Sequence, residues 1–285
     1  MDRRLPTARE LEAIAASAPP PSPARAAPPG EAEAMLRRRG FFTTPGEQLT
    51  PFPPDYGGPA ADLLAERLGH YAFRLFLRGA LLAGPTFAAD DATRYLTAEQ
   101  CRAHADALVR MGLADPLGDG TYRLRHPSTR SFGGTLEWYV ARELRLRLGF
   151  DVALDRKFRA PGVGGDLDVV AAAEGKLVQI ELKSSPPKHV SLAEVAAFLD
   201  RVAALKPDVA LFVVDTALRL GDRVLPMVAA ALQERRADAV KPVRVERELW
   251  ALGPHLYVIN AKPDLMANVE RAIAEGFRAL APAIC

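Results

Sequence analysis

One stretch of the sequence decides the fold: Gly165-Asp166-Leu167-Asp168-Val169-Val170-Ala171-Ala172-Ala173-Glu174-Gly175-Lys176-Leu177-Val178-Gln179-Ile180-Glu181-Leu182-Lys183. Both halves of this stretch are rich in β-branched residues and alternate with a period of two, which is typical of strands. Between them, Glu174-Gly175 supplies the glycine that a short hairpin turn favours. The stretch therefore predicts two antiparallel strands joined by a tight turn.

The tight turn also predicts which residues face each other across the hairpin. We take Ala173 to pair with Lys176, and in that register Asp168 lies directly opposite Glu181. Because side chains alternate along a strand, one face is predicted to carry the chemistry and the other to carry the core. The chemical face would hold Asp166, Asp168, Val170, Gln179, Glu181 and Lys183, and the core face Leu167, Val169, Val178, Ile180 and Leu182.

Two opposed carboxylates are unfavourable unless a cation lies beside them. At a separation of about 5 Å and an effective dielectric constant of about 20 they repel by roughly 3 kcal/mol. Lys183 is one candidate for the compensating cation and a divalent metal ion is the other. A Glu-x-Lys step after an apolar run is also common on solvated strand faces, so the step alone does not decide between the two interpretations.

A third acid is predicted to point toward the same core. In the helical stretch from Thr135 to Leu148, Glu137 lies on one stripe with Val140, Ala141 and Leu144. This spacing indicates that Glu137 faces inward. The alternative is an acid of the first helical turn that is favoured by the helix dipole and paired with a basic neighbour such as Arg145.

The order of the predicted elements resembles the core of a known superfamily. A helix with an inward Glu137 is followed by three strands, a helix at Leu192 to Leu205 and a strand at Val209 to Val214. With the ending Ile180-Glu181-Leu182-Lys183-Ser184, this α/β pattern resembles the αβββαβ core, with a mixed sheet, of the PD-(D/E)XK nuclease superfamily, the restriction-endonuclease-like fold. The resemblance covers roughly residues 133 to 262.

The resemblance implies a metal-dependent catalytic site. Asp168, Glu181 and the backbone carbonyl of Leu182 would bind Mg²⁺ or Mn²⁺, with Glu137 as a further ligand. Lys183 would orient the attacking water or stabilise charge that develops on the phosphate. The implied catalytic residues are therefore Glu137, Asp168, Glu181 and Lys183.

Composition favours an intracellular enzyme. The chain has 285 residues, of which 49% are hydrophobic and 25% are charged, enough for a full core and two modest domains. Cys101 and Cys285 form no disulfide framework, and no signal segment opens the chain. No apolar run approaches 18 residues, so we expect a soluble, cytoplasmic protein without a membrane partner.

Three regions are predicted along the chain. Residues 1–59 form a Pro/Ala-rich N-terminal extension and linker, residues 60–130 a smaller α/β domain, and residues 131–285 the nuclease-like domain. The middle region combines a long helix at 60–83, a capping-box pattern at 97–100, and a hairpin around Pro116 to Gly120. This pattern resembles a winged-helix domain.

A winged helix would place the helix of residues 98–111 in the major groove of DNA. The residues between Thr121 and Ala160 carry nine Lys or Arg against four acids, an excess of +5 in a chain of net charge +2. Phosphate attraction explains this excess, and a solvated surface explains it equally well. The candidate nucleic-acid contacts are Arg102, Arg110, Arg123, Arg125, Arg156 and Lys157.

Two functions remain open at this stage. The preferred one is a metal-dependent endonuclease that hydrolyses phosphodiester bonds, with DNA as the expected substrate, in restriction, repair or defence. The alternative is a non-catalytic module that binds nucleic acid or protein on a nuclease-like scaffold, and many winged helices dock protein. Enzymes with similar cores are usually dimers, because two strands need two cuts, so a homodimer is among the expected assemblies.

Overall fold

The protein is a mixed α/β structure with one large and one small sheet. The computed structural model describes residues 29–160, 162–235 and 240–280. The large sheet has eight strands in the order β1-β5-β6-β7-β8-β11-β10-β9, and the small one has three in the order β2-β4-β3. The strands are β1 Thr43–Pro45, β2 Thr86–Ala88, β3 Ala114–Gly118, β4 Thr121–Leu124, β5 Asp151–Ala160, β6 Val163–Ala173, β7 Lys176–Lys183, β8 Val209–Val214, β9 Val243–Glu246, β10 Leu249–Ala251 and β11 Leu256–Asn260. The α-helices are α1 Glu31–Arg38, α2 Gly58–Gly69, α3 Tyr71–Ala83, α4 Ala98–Arg110, α5 Gly133–Leu148, α6 Leu192–Leu205, α7 Val224–Gln233 and α8 Leu265–Ala279.

The central hairpin forms as its turn predicts. Strands β6 and β7 are antiparallel, and the register that starts at Ala173 and Lys176 continues to Val169 and Ile180. Strands β7 and β8 are parallel, as are β8 and β11, so the large sheet is mixed. The elements α5, β5, β6, β7, α6 and β8 follow one another in the predicted helix-strand-strand-strand-helix-strand order.

The predicted division into a chemical face and a core face was wrong in part. Val169 packs in the core under α5, whereas Leu167 packs on the other side of the sheet with Val170. The alternation breaks because the ladder between β5 and β6 skips Asp155 and Asp168, and Asp155 has a left-handed φ of 45°. The face expected to carry only chemistry is also covered, by α1 and α6.

Part of the predicted N-terminal extension is built into the large sheet. Strand β1 pairs with β5, where Thr43 lies opposite Phe158, and α1 packs on β5 and β6 through Met35 and Leu36. Residues 31–45 therefore belong structurally with the sheet rather than with a linker. The predicted short helix at 8–17 and the proline-rich stretch at 18–23 lie outside the described residues.

Residues 58–124 form a helical layer with the small sheet. The single long helix predicted at 60–83 is two helices, because the chain is extended at His70 and Arg74 donates hydrogen bonds to the carbonyl oxygens of Leu68 and Gly69. The capping box at Thr97 and the β3-β4 hairpin are confirmed. Among the described residues, no helix is both long and apolar enough to cross a membrane.

A buried ion pair and a shared core join this layer to the large sheet. Asp215, directly after β8, is fully buried and accepts hydrogen bonds from Arg74 at 3.0 Å and Arg78 at 2.7 Å. One cluster of buried apolar side chains runs from Leu64 to Ile273 and includes both regions. The boundaries between the predicted domains stay predictions.

Candidate active site

The predicted acids come together where β6 and β7 part. Glu137 lies in the first turns of α5, and Asp168 and Glu181 lie just beyond the last paired residues of the hairpin. There the backbone N–H of Leu182 donates a 2.7 Å hydrogen bond to Oδ2 of Asp168 in place of a ladder bond. The carboxyl of Asp168 thus replaces backbone pairing and holds the two strand ends at a fixed separation.

Three further acids lie in the same place, and only Asp166 among them was predicted on the chemical face. A cavity of about 230 Å³ is lined by five carboxylates, those of Glu47, Glu137, Asp155, Asp166 and Asp168. Within the described part of the chain, none of these five has an ion-pair partner within 4.0 Å. No sequence pattern indicated Asp155, because its place depends on the pairing of β5 with β6, whose ladder skips Asp155 and Asp168. We call this space the acid cavity.

Burial and mutual repulsion raise the pKa of three of these acids. Burial, followed by the charges of Asp155, Glu181 and Asp166, raises the pKa of Glu137 to about 7. Burial and the charges of Glu181 and Glu137 raise the pKa of Asp168 well above its ordinary value, and the hydrogen bond from Leu182 opposes the shift only in part. Burial and the charge of Asp166 also raise the pKa of Asp155. At Glu137 and Asp168, burial and the neighbouring negative charges therefore outweigh the opposing charge of Lys183.

Glu181 differs from the other acids because it has two cationic partners. It is buried, with Oε2 2.6 Å from Nη2 of Arg201 and Oε1 3.0 Å from Nζ of Lys183. Lys183 also lies 3.2 Å from Glu194. Burial alone would lower the pKa of Lys183, but the charge and hydrogen bond of Glu181, with the charges of Asp168 and Glu194, outweigh burial and raise it. Lys183 is therefore a firmly held ammonium group.

Sequence analysis did not identify Arg201, although its position carries a usable pattern. Arg201 follows Phe198 by three residues and precedes Leu205 by four, so it lies on the apolar stripe of α6. This is the same pattern that identified Glu137 on α5. Arg201 is 7% exposed, and its guanidinium donates a 2.6 Å hydrogen bond to Glu181. A charged residue on an apolar stripe indicates a buried partner, and here that partner is Glu181.

The side chains are not gathered into a metal centre. In the residues that the structure describes, no three His, Cys, Asp or Glu side chains are arranged to hold one metal ion. The oxygens of Glu181 are engaged by Arg201 and Lys183, and one oxygen of Asp168 is engaged by Leu182. The donor set nevertheless suits a hard divalent cation, because it consists of carboxylates.

The predicted nucleic-acid contacts fall into two groups. Arg102 and Arg125 form exposed ion pairs with Asp90 and Asp115. Arg156 lies 3.5 Å from Glu33 and is half-buried. The remaining candidates, Arg110, Arg123 and Lys157, are exposed on α4, β4 and β5.

His104, which lies on α4 with Arg102 and Arg110, packs against two buried aromatic rings. Its ring lies 5.4 Å from that of Phe73 and 5.5 Å from that of Phe76. Burial, followed by the charge of Arg67, lowers the pKa of His104. The histidine is thus a packing residue between helices rather than a contact at the surface.

Comparison with solved structures bears on the fold alone and agrees with the mixed α/β class. The chain matches no protein-family model, and no curated protein matches its sequence. It is similar to the structure of protein VC1899 from Vibrio cholerae, with a TM-score of 0.52 and 17% identity over 87% of this chain and 61% of that one. It is also similar to Can2 from Sulfobacillus thermosulfidooxidans, solved in complex with cyclic tetra-adenylate (cA4), with a TM-score of 0.46 and 16% identity over 86% and 59% of the two chains. The chain thus spans about three-fifths of the length of each.

Proposed function

We propose that this protein is a metal-dependent nuclease that hydrolyses phosphodiester bonds, with DNA as the expected substrate. The observation that carries the proposal is the acid cavity, where five carboxylates without an ion-pair partner among the described residues meet beside Lys183. The helix-strand-strand-strand-helix-strand order supports a restriction-endonuclease-like core around it. Glu137, Asp155 and Asp168 have raised pKa values, so their ionised forms are costly to the fold, and a divalent cation offsets that cost.

The residues present fit Mg²⁺ or Mn²⁺, which prefer oxygen ligands. Asp168 and Glu137 would hold the ion from the acid cavity, with Glu181 as a ligand when Arg201 releases it. The backbone of Leu182 is also suitably placed. The carbonyl oxygens of Leu177 and Lys183 accept hydrogen bonds from the two residues that flank β8. Backbone groups alternate between the two sides of a strand, so those of Leu182 point away from β8 and toward Asp168. Once bound, the ion would lower the pKa of a coordinated water and screen the phosphate charge.

Lys183 is the cationic side chain that the protein itself would direct at the phosphate. Its ammonium group lies 3.0 Å from Glu181 and 3.2 Å from Glu194, at the end of β7 beside the acid cavity. The raised pKa keeps it protonated at neutral pH, so it acts as a donor to a phosphate oxygen and not as a base. Glu194 holds the side chain from the far side, which limits the directions in which the ammonium can point.

A cleavage assay with matched variants tests the proposed nuclease. Plasmid DNA, single-stranded DNA and RNA are incubated with Mg²⁺, with Mn²⁺ and with EDTA. We expect metal-dependent cleavage that falls by about 100-fold or more in Asp168→Asn and in Lys183→Met. The control is Asp200→Asn, an exposed acid on α6 that pairs with Arg235 and should cleave normally. Undiminished cleavage in both site variants would reject the assignment.

A second candidate function is a non-catalytic binding module. The observation that favours it is that Glu181 forms ion pairs with both Arg201 and Lys183. These two side chains supply the positive charge that a metal ion would otherwise supply. A module of this kind would bind an oligonucleotide or a protein equally well in EDTA and in Mg²⁺, and it would leave every nucleic-acid substrate intact. The same cleavage assay, with binding measured in parallel, separates the two functions.

We also propose that the helical layer acts as a winged helix that positions the nucleic acid. Its support is the arrangement of α4 beside the hairpin of β3 and β4. Arg110 and Arg123 are exposed there, so replacing both with Ala should weaken DNA binding. The slope of the binding constant against salt concentration should fall by the amount expected for about two lost phosphate contacts. Unchanged binding would instead favour protein docking or dimer formation, which light scattering can detect.

A further inference from the structure

A larger cleft lies next to the acid cavity and is not used by the proposed hydrolysis. Its volume is about 800 Å³, within the range of sites that hold small organic molecules. One wall is the segment 47–56 that leads from β1 to α2, and another is the connection at 125–128 between β4 and α5. Trp138 on α5 lines the space between them. We call this space the aromatic cleft.

The aromatic cleft adjoins the acid cavity. Glu47, Gln48 and Leu49 line both spaces, and the acid Glu137 is the chain neighbour of Trp138. A strand with its reacting group in the acid cavity would pass residues 47–49 to reach the cleft.

The walls of the cleft are held in place by specific contacts. The hydroxyl of Ser128 donates a 2.6 Å hydrogen bond to the carbonyl oxygen of Thr50, which ties the two walls together. The segment also passes closely over the start of α5, since a Cβ on Gly134 would lie 2.5 Å from the carbonyl oxygen of Leu49. The cleft is thus preformed, which reduces the entropy that a ligand loses on binding.

Three aromatic rings and one guanidinium group set the chemistry of the cleft. Buried Phe52 has its ring centroid 5.0 Å from Trp138 and 5.1 Å from Tyr56, and the latter two rings are half-buried. Tyr56 is further fixed by a 3.0 Å hydrogen bond from its hydroxyl to the carbonyl oxygen of Met111. Arg125, which also forms an exposed ion pair with Asp115, and His126 line one side of the cleft, and Glu47 lines the side next to the acid cavity.

We propose that the aromatic cleft binds an unpaired nucleobase and its neighbouring phosphate, in the strand whose scissile phosphate occupies the acid cavity. This inference rests on the proposed nuclease function and names its substrate class. Flat aromatic walls stack on bases of any sequence, and the exposed guanidinium of Arg125 attracts the backbone phosphate. A base inside a duplex has both faces covered by its neighbours, so the cleft selects nucleic acid with unpaired bases at the site of cleavage.

Trp138 itself reports on occupancy of the cleft. The chain has two tryptophans, Trp138 and Trp250, so Trp250→Phe leaves Trp138 as the only one. The titration uses an oligothymidylate and a duplex of the same length, both in EDTA so that nothing is cleaved. We expect quenching of Trp138 fluorescence by the single strand, with an affinity about tenfold or more above that of the duplex.

Variants then test the contacts that the cleft supplies. Binding is measured with a labelled oligothymidylate in the otherwise unaltered chain. We expect Trp138→Leu to weaken binding about tenfold and Arg125→Ala to weaken it less, with a smaller salt dependence. The control is Tyr95→Ala, an exposed aromatic outside the cleft, which should bind normally. Far-UV circular dichroism and a melting curve establish that each variant is folded.

Each outcome of these measurements bears on the cleft. Equal affinity for single strand and duplex would overturn the proposal, and so would binding of the single strand without quenching of Trp138 fluorescence. A titration in which a proline-rich peptide quenches Trp138 and no oligonucleotide binds would overturn it as well. Loss of cleavage with intact single-strand binding would contradict only the nuclease function. Metal-dependent cleavage that is equal on both substrates and unaffected by Trp138→Leu would contradict only the cleft.

Discussion

Glu137→Gln should stabilise the metal-free protein at alkaline pH, although most substitutions in a folded core destabilise. Burial is the largest cause of the raised pKa of Glu137, and the charges of Asp155, Glu181 and Asp166 add to it. An ionised Glu137 is therefore a cost to the folded state. Glutamine has nearly the same shape but never carries the charge, so the substitution removes the cost while it keeps the packing on α5.

The magnitude follows from the pKa of Glu137 in the folded and unfolded chains. The pKa rises from 4.5 to about 7 on folding, and since one pKa unit corresponds to about 1.36 kcal/mol, the ionised form costs roughly 3 kcal/mol. Below pH 4.5 the acid is protonated in both states and the cost is absent. Between pH 4.5 and about 7 the folded state retains a proton that the unfolded state has lost, so the free energy of unfolding falls as the pH rises. Above pH 7 the full cost is present.

Urea unfolding in EDTA at pH 5, 6, 7 and 8 measures this effect directly. The gain in the free energy of unfolding of Glu137→Gln over the unaltered chain should be small at pH 5 and reach roughly 3 kcal/mol at pH 8. Glu143→Gln on the same helix is the control, because Glu143 lies 3.3 Å from Arg142 and its loss removes an ion pair. A destabilised Glu137→Gln at pH 8, or a gain independent of pH, would refute the electrostatic account of the acid cavity.

Three further outcomes follow from the same charges. Mg²⁺ or Mn²⁺ at about 100 times its dissociation constant should raise the free energy of unfolding by about 2.7 kcal/mol, and Asp168→Asn should reduce this gain in calorimetric melting curves. Arg201→Met should cost about 3–5 kcal/mol in urea unfolding, because it leaves buried Glu181 without its 2.6 Å partner. Asp215→Asn should cost a similar amount, since buried Arg74 loses its counter-ion.

An exposed ion pair provides the control for the two buried ones. Arg235 lies 2.7 Å from Asp200, whose side chain is 49% exposed, so Arg235→Met should cost less than about 1 kcal/mol. Equal losses in the exposed and buried variants would show that burial does not govern these interactions. A metal-induced stabilisation that Asp168→Asn leaves unchanged would place the ion outside the acid cavity.

Local features of the fold could be predicted because a few neighbouring residues determine them. The glycine turn at 174–175 set the register of the hairpin as far as Val169, and the Thr97 capping box set the start of α4. The inward position of Glu137 followed from helical spacing alone. In each of these cases the interacting residues are close in the sequence, so the pattern contains the information.

Features that depend on distant residues could not be predicted in the same way. Asp155 joins the acid cavity because the pairing of β5 with β6 is interrupted at Asp168, and no local pattern specifies that interruption. The pairing of β1 with β5 spans more than a hundred residues. Arg74 meets Asp215 across 141 positions, so no pattern near either residue indicates the pair. These contacts are set by the packing of whole elements.

The distribution of partners divides the predicted catalytic set into two parts with different roles. Glu181 is satisfied by Arg201 and Lys183, which balance it without a metal ion. Glu137 and Asp168 have raised pKa values and, in the described residues, no ion-pair partner, so a divalent cation gains most by binding to them. The affinity for metal should therefore depend mainly on Asp168 and Glu137, whereas Arg201 sets how readily Glu181 can join them. In a nuclease of the proposed kind, the metal ion would stabilise the fold and complete the site, because acids that repel one another in its absence would become its ligands.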